Sequence, residues 1–170
     1  MENTWILDET HSEVQFKVKH MVISTVTGNF KEIKASVNAA DDTFINGEFT
    51  FEAKVDSIDT RNEQRDGHLK SEDFFDAERF PNLTFKGVFD GAKIVGEMTI
   101  KGVSQTIELK TNFGGVITDP YGNQRTGFEL EGEIDRKDFG LTWSAVTEAG
   151  GLVVSDKVKL IANLEFVQEK

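Results

Sequence analysis

Phe128-Glu129-Leu130-Glu131-Gly132-Glu133-Ile134-Asp135 decides the fold class: apolar residues or glycine alternate strictly with acids. Successive side chains of an extended strand point to opposite faces, so this run is a β-strand with one buried and one solvated face. The same period recurs in both directions. Upstream lie Val14-x-Phe16-x-Val18, the row Ile45-Gly47-Phe49-Phe51-Ala53-Val55, then Leu83-Phe85-Gly87-Phe89, Ile94-Gly96-Met98-Ile100, and Ile107-Leu109-Phe113. Downstream, Val158-Leu160-Ala162-Leu164-Phe166 repeats it. With the segment from Phe30 to Val37, the pattern predicts about eight long antiparallel strands.

Strands with one apolar face must hide it, in a sandwich or in a sheet closed on itself. Turns are expected at Asp41-Asp42, Asp90-Gly91, Gly102 and Asp119-Pro120-Tyr121-Gly122, leaving sequential hairpins of ten or more residues. That favours an up-and-down barrel, all-β, in one domain spanning 1–170. Gly47, Gly87, Gly96 and Gly132 fall within the apolar rows. They are either bends that let the barrel close or positions that leave its interior hollow. On the hollow reading, Gly87→Leu or Gly132→Leu would fill a channel and leave the fold intact.

The chain has 170 residues, a net charge of -11, 38% hydrophobic residues and no cysteine. Thiol chemistry, disulfides and cysteine metal sites are therefore excluded. A nucleic-acid backbone is a poor partner for so acidic a chain, and so is an anionic lipid surface. No window reaches the ~18 apolar residues of a membrane-spanning helix, so stable membrane insertion is not expected. The opening MENTWILDETHSEV lacks the basic start and apolar run of a signal peptide, which points to the cytoplasm.

One segment breaks the alternation: Asp59-Thr60-Arg61-Asn62-Glu63-Gln64-Arg65-Asp66-Gly67-His68-Leu69-Lys70 and on to Phe80-Pro81. Thr60 to Glu63 has the spacing of a capping box, predicting a helical insertion around residues 60–78. Leu69, Phe74, Phe75 and Phe80 would face the barrel, so the segment covers one mouth. Arg65, Asp66 and His68 are candidates for a polar head group, or for a solvated network that fixes the lid.

His11 and His20 do not suggest a shared metal. Nine residues of strand separate them by roughly 30 Å, on opposite faces. His20 shares the inward parity of Phe16 and Val18, where a satisfied core histidine is commoner than a ligand. There is no Gly-x-Ser-x-Gly elbow and no Gly-rich loop entering a helix. No catalytic constellation, metal site or cofactor is assigned.

These residues resemble the YceI-like family of lipocalin-like, polyisoprenoid-binding proteins. The resemblance rests on Trp5-x-x-Asp8-x-x-His11-Ser12-x-Val14-x-Phe16-x-Val18-x-His20, Gly28-x-Phe30, Asp59-Thr60, Arg65-Asp66-x-His68-Leu69, Phe74-Phe75 and Phe80-Pro81-x-x-x-Phe85. It continues through Gly96-x-Met98-Thr99-Ile100-x-Gly102-Val103, Asp119-x-Tyr121-Gly122-x-x-Arg125-x-Gly127-Phe128 and Arg136-x-Asp138-Phe139-Gly140-Leu141-x-Trp143. Lys86-Gly87 replaces a small polar residue often found in members, the Gly-x-Trp signature of true lipocalins is absent, and so is the secretion signal many members carry.

The resemblance implies an extended eight-stranded barrel holding a long isoprenoid, quinone-like or fatty amphiphile, with carriage or sequestration as the function. The pocket-lining expectation is Phe16, Val18, His20, Phe30, Phe49, Phe51, Phe85, Gly87, Phe89, Met98, Ile100, Phe113, Phe128, Leu130 and Trp143. The lid expectation is Arg65, Asp66, His68, Leu69, Phe74 and Phe75. A barrel roughly 25 Å tall is long enough for an extended acyl or prenyl chain, and a ligand of some forty carbons would bind near the nanomolar range. Two alternatives stay open: an enzyme using His20 or His68 as acid-base group, and a ligand-free stress or interaction domain. Poorly closed edges would allow a homodimer, which no residue establishes.

Overall fold

The structure, a computed structural model, describes residues 2–21, 23–143 and 154–170. Its strands are β1 (Asn3–Leu7), β2 (Glu13–His20), β3 (Ser24–Phe30), β4 (Ile33–Ala39), β5 (Glu48–Lys54), β6 (Ile58–Asp59), β7 (Asn82–Phe89), β8 (Lys93–Ile100), β9 (Val103–Thr118), β10 (Gln124–Asp135) and β11 (Lys157–Gln168). One helix, α1 (Glu63–Lys70), follows β6. All pairings are antiparallel, in the order β1-β4-β5-β7-β8-β9-β10-β11-β2-β3-β6, and β11 returns to β1. β2 continues the line of β1, β4 that of β3, and β6 that of β5. Eleven segments thus make eight ribbons, and the sheet closes into an eight-stranded barrel.

Three adjacent ribbons break at the same level. The chain leaves β1 through a 3-10 turn at Glu9–His11, pauses at residues 31–32 between β3 and β4, and makes a second 3-10 turn at Val55–Ser57. Lys31 N–H donates to Ser57 C=O at 3.1 Å and Lys54 N–H to Glu32 C=O at 3.0 Å, so the breaks tie together. His11 therefore ends a turn instead of beginning a strand, and regular strand runs only from Glu13 to His20.

The apolar rows face inward as the alternation predicts, with one exception. Ile45 was expected inside, yet it is 48% exposed and Phe44 is fully buried. Phe44 and Asn46 have positive φ values of 58° and 66°, and Gly47 N–H donates to Phe44 C=O at 2.8 Å. This tight turn resets the parity before β5 begins and drives Phe44 into the barrel. There it meets Trp5, Phe113 and Phe128 with ring centroids 5.0 to 5.4 Å apart. Phe89, Phe49 and Phe166 complete the cluster around Phe128. Aromatic rings at these spacings fill one end of the barrel.

The glycines in the rows answer the hollow-or-bend question. A Cβ on Gly96 would lie 2.1 Å from Lys86 O, and one on Gly47 2.8 Å from Phe44 O. On Gly87 it would meet Ile94 Cγ2 and the Phe85 ring at 2.8 Å, and on Gly132 Leu109 Cδ2 at 2.7 Å. Neighbouring strands and side chains have closed over these positions, which is what strong coiling requires. A side chain at Gly87 or Gly132 would first meet the side chains of Ile94 and Phe85 or of Leu109, which must shift to admit it.

Candidate functional site: an apolar cavity under a helical lid

Opposite the aromatic floor lies a cavity of about 290 Å³. Its wall is built mainly from the inward positions of β2 to β5 and β7 to β11, because period two delivers one side chain per two residues to the interior. Among the expected residues, the wall contains Phe16, Val18, His20, Phe30, Phe49, Phe51, Phe85, Met98, Ile100, Leu130 and Trp143, with Arg65, His68, Leu69, Phe74 and Phe75 at the lid. Gly87, Phe89, Phe113, Phe128 and Asp66 do not line it. Phe89, Phe113 and Phe128 sit in the floor; Gly87 is covered by its neighbours, and Asp66 faces Thr60.

The lid differs in its details from the sequence expectation. Asn62 caps α1, its side chain accepting from Arg65 N–H at 2.9 Å. Thr60, expected as the N-cap, is instead buried, and its N–H and hydroxyl both donate to Asp66 Oδ1. Arg65 then folds back, with Nε 2.8 Å from Thr60 Oγ1 and Nη2 2.6 Å from Thr60 O. A threonine can cap a helix, but here a buried backbone needs its bonds more, and the asparagine two residues on is free to cap. After the helix, Phe75 N–H bonds Leu69 C=O and Ala77 N–H bonds Lys70 C=O, both at about 3 Å, so the segment from Ser71 turns back without forming a second helix. His68 stacks edge-on against Phe74 (5.1 Å) and Trp143 (4.8 Å), and its Nε2 lies 3.0 Å from Asp73 Oδ2. Phe75 packs edge-on against Phe30 at 6.2 Å, which seats the lid on the wall.

Sequence reasoning gave Arg136 no role, and the structure places it at the heart of the mouth. It is 3% exposed, lines the cavity, and donates to the carbonyls of Leu141 and Trp143 at 2.6 Å and of Ser155 at 3.0 Å. Burial pushes its pKa down, with Asp156 and Asp135 pulling the other way. The signal was available: Arg136 continues the inward parity of Phe128, Leu130, Gly132 and Ile134, and an arginine at the end of a buried row is unusual.

A second polar cluster lies on the outer wall. Asp8, His11 and Glu165 bring three ligand-type atoms within 4.8 Å of one another, but a guanidinium already sits among them. Arg125 Nη1 is 2.9 Å from both Asp8 Oδ2 and Glu165 Oε2, and its Nε is 2.7 Å from Asp119 Oδ2. The Arg125 hydrogen bond holds the Asp8 carboxyl well below the usual range and lowers Asp119 to about 2. Asp119 in turn raises Arg125 further above its ordinary value. The cation of this cluster is a side chain.

Comparison with known proteins agrees with this architecture. The model of the YceI-like domain matches residues 5–166. A UPF0312 protein of Staphylococcus epidermidis is 36% identical over 162 residues, 94% of each chain. The YceI protein of Campylobacter jejuni superposes with a TM-score of 0.74 at 35% identity, covering 96% of both chains. A polyisoprenoid binding domain from Saccharophagus degradans gives a TM-score of 0.71 at 17% identity, covering 97% of this chain and 98% of that one.

Proposed function

This chain belongs to the YceI-like family, and from that premise and its cavity we propose that it binds and carries or sequesters the apolar tail of an amphiphile, without catalysis. The observation that carries the reading is a lined cavity whose wall is almost wholly hydrocarbon, floored by rings and roofed by a helix. The polyisoprenoid binding domain from Saccharophagus degradans, similar in fold, supports an isoprenoid or similar lipid as cargo. His20 and His68 line the cavity wall, but among the described residues His68 is paired with Asp73 and packed between rings, an arrangement that fixes a lid.

The volume sets a length. A cavity of about 290 Å³ takes about ten groups of water-molecule size at roughly 30 Å³ each. A forty-carbon chain would have most of its length outside, past α1. Each methylene that enters contributes about 0.8 kcal/mol, close to a fourfold gain in affinity. Affinity for a series of n-alkyl ligands should therefore rise about fourfold per carbon and level off near ten carbons. Displacement of an environment-sensitive apolar dye by the series tests this. A flat series, or no dye uptake at all, would remove the cavity from the function and favour the interaction-domain alternative.

A further inference from the structure

Three hairpin turns of this chain are built from the usual polar residues and glycine: Asp90-Gly91, Lys101-Gly102 and Asp119 to Gly122. The connection from β2 to β3 is different. Its tip carries Met21 and Ile23, 43% and 84% exposed. Met21 sits at a positive φ of 51°, and Ile23 N–H donates to His20 C=O at 3.2 Å, so the tip is a tight turn that holds both side chains outward. A single exposed aliphatic side chain is ordinary on a protein surface. Two at the end of one hairpin make an apolar point that stands in water.

The same hairpin is where this acidic chain changes sign. Residues 14–31 contain Lys17, Lys19 and Lys31 and no aspartate or glutamate, and no other acid-free stretch of the chain is as long. Lys31, beyond the end of β3, is paired with Asp59 at 3.1 Å. Lys17 and Lys19 stand opposite Thr27 and Thr25 in the hairpin, and Lys19 Nζ donates to Thr25 Oγ1 at 3.0 Å. Acids on the neighbouring strands and loop are already engaged. Asp135 and Glu131 face Lys157 and Lys159 at 3.8 and 2.7 Å, and Asp156 faces Lys137 at 3.3 Å. The hairpin therefore presents an apolar tip with cationic shoulders.

We propose that this tip docks on an anionic lipid bilayer, with Met21 and Ile23 entering between the head groups and Lys17 and Lys19 meeting the lipid phosphates. Charge selects the bilayer over a second copy of this chain. Two copies at a net charge of -11 repel, and a symmetric contact would set lysines against lysines. The same net charge opposes adsorption of the whole molecule, so the contact is confined to the tip. Charges are screened beyond about 8 Å at physiological ionic strength, which removes the acids at the floor end of the barrel from the balance. Two aliphatic side chains and two lysines make a weak, reversible attachment. The tip springs directly from His20, which lines the cavity, so docking turns the open end of the barrel toward the bilayer. This inference goes beyond the tail reading and stands without it.

Sedimentation of the full chain with vesicles tests the proposal. The vesicles are phosphatidylcholine alone or mixed with phosphatidylglycerol, at low and at high salt. The protein is expected to sediment with the mixed vesicles at low salt, and to lose most of that binding on phosphatidylcholine alone or at high salt. Lys17→Gln and Lys19→Gln should each lower the partition coefficient about fivefold, the effect of one lysine at an anionic surface. Ile23→Ser should lower it about tenfold or more, the loss of one inserted aliphatic side chain. Ile117→Ser, at a 65% exposed position toward the floor end, should leave it unchanged. Absence of sedimentation with the mixed vesicles overturns the proposal, as does partitioning that Ile23→Ser and Lys19→Gln leave intact. Self-association without vesicles, abolished by Ile23→Ser, would assign the tip to a second copy and overturn it as well. Vesicle binding without uptake of the apolar dye keeps this surface and removes the tail site. Dye uptake without vesicle binding does the reverse.

Discussion

At the scale of single residues, the glycines of the apolar rows show how a correct pattern can leave its implication open. Alternation placed Gly87, Gly96 and Gly132 on the inner face, where a glycine reads either as a bend or as room. In the barrel side chains cover Gly87 and Gly132, and strand backbone covers Gly96. Gly96 is the extreme case, because the atom it would strike is the backbone of β7, which pairs with β8 at Gly87 and Gly96. Gly96→Ala cannot be absorbed by a rotamer change. Overpacking of this kind costs typically about 1–3 kcal/mol, and rigid backbone puts it at the upper end or beyond. Urea unfolding should show a lower midpoint for Gly96→Ala. An unchanged midpoint would mean that β7 and β8 can separate at no cost, contrary to their ladder.

At the scale of elements, the aromatic floor decides how much of the barrel is available. Phe128 is at its centre, 2% exposed, within 6.1 Å of the rings of Phe44, Phe49, Phe89, Phe113 and Phe166. Phe128→Ala should destabilise the protein by about 3–5 kcal/mol, the usual cost of removing a buried ring. It should also deepen the cavity, moving the plateau of the alkyl-length series to longer chains. A stability loss with an unmoved plateau would show that the floor collapses into the gap. The lid is the complementary element. Its helix is short and carries no buried residue, so its position comes from Thr60, Phe74 and Phe75 more than from helix propensity.

At the scale of the whole molecule, closure of the barrel is an electrostatic as well as a hydrogen-bonding event. Arg125 on β10 gathers Asp8 at the end of β1, Glu165 on β11 and Asp119 in the β9–β10 turn, across the seam where β11 meets β1. Asp8 and Asp119 titrate below their ordinary value in the folded state. Their contribution is therefore complete above the unfolded carboxylate pKa of about 3.9 and is lost as pH falls toward the folded values. Arg125→Met should lower the unfolding midpoint at pH 7, where three carboxylates face one another without their cation. The gap from the parent should narrow steadily as pH falls below about 4, as those carboxylates take up protons. A gap that does not narrow with falling pH would assign the effect to lost packing by the guanidinium.

Period-two alternation, with turns at Asp90-Gly91, Gly102 and Asp119 to Gly122, was enough to read an all-β barrel and nearly all of its inward residues. The reason is local: the face a strand residue occupies is set by its neighbours in sequence. The lid was legible as an interruption of that period. What alternation could not supply was depth. The turn at Phe44–Gly47 reset the parity and put Phe44 into the floor, and stacking of Phe113 on Phe128 closed that end of the barrel. Whether an inward phenylalanine lines a cavity or fills a core depends on partners from strands far apart in sequence, and only closure brings them together. The same holds for Arg136 and Arg125. The sequence shows each as one cation in an acidic chain; the tertiary structure turned one into the charge at the mouth and the other into the clasp at the seam.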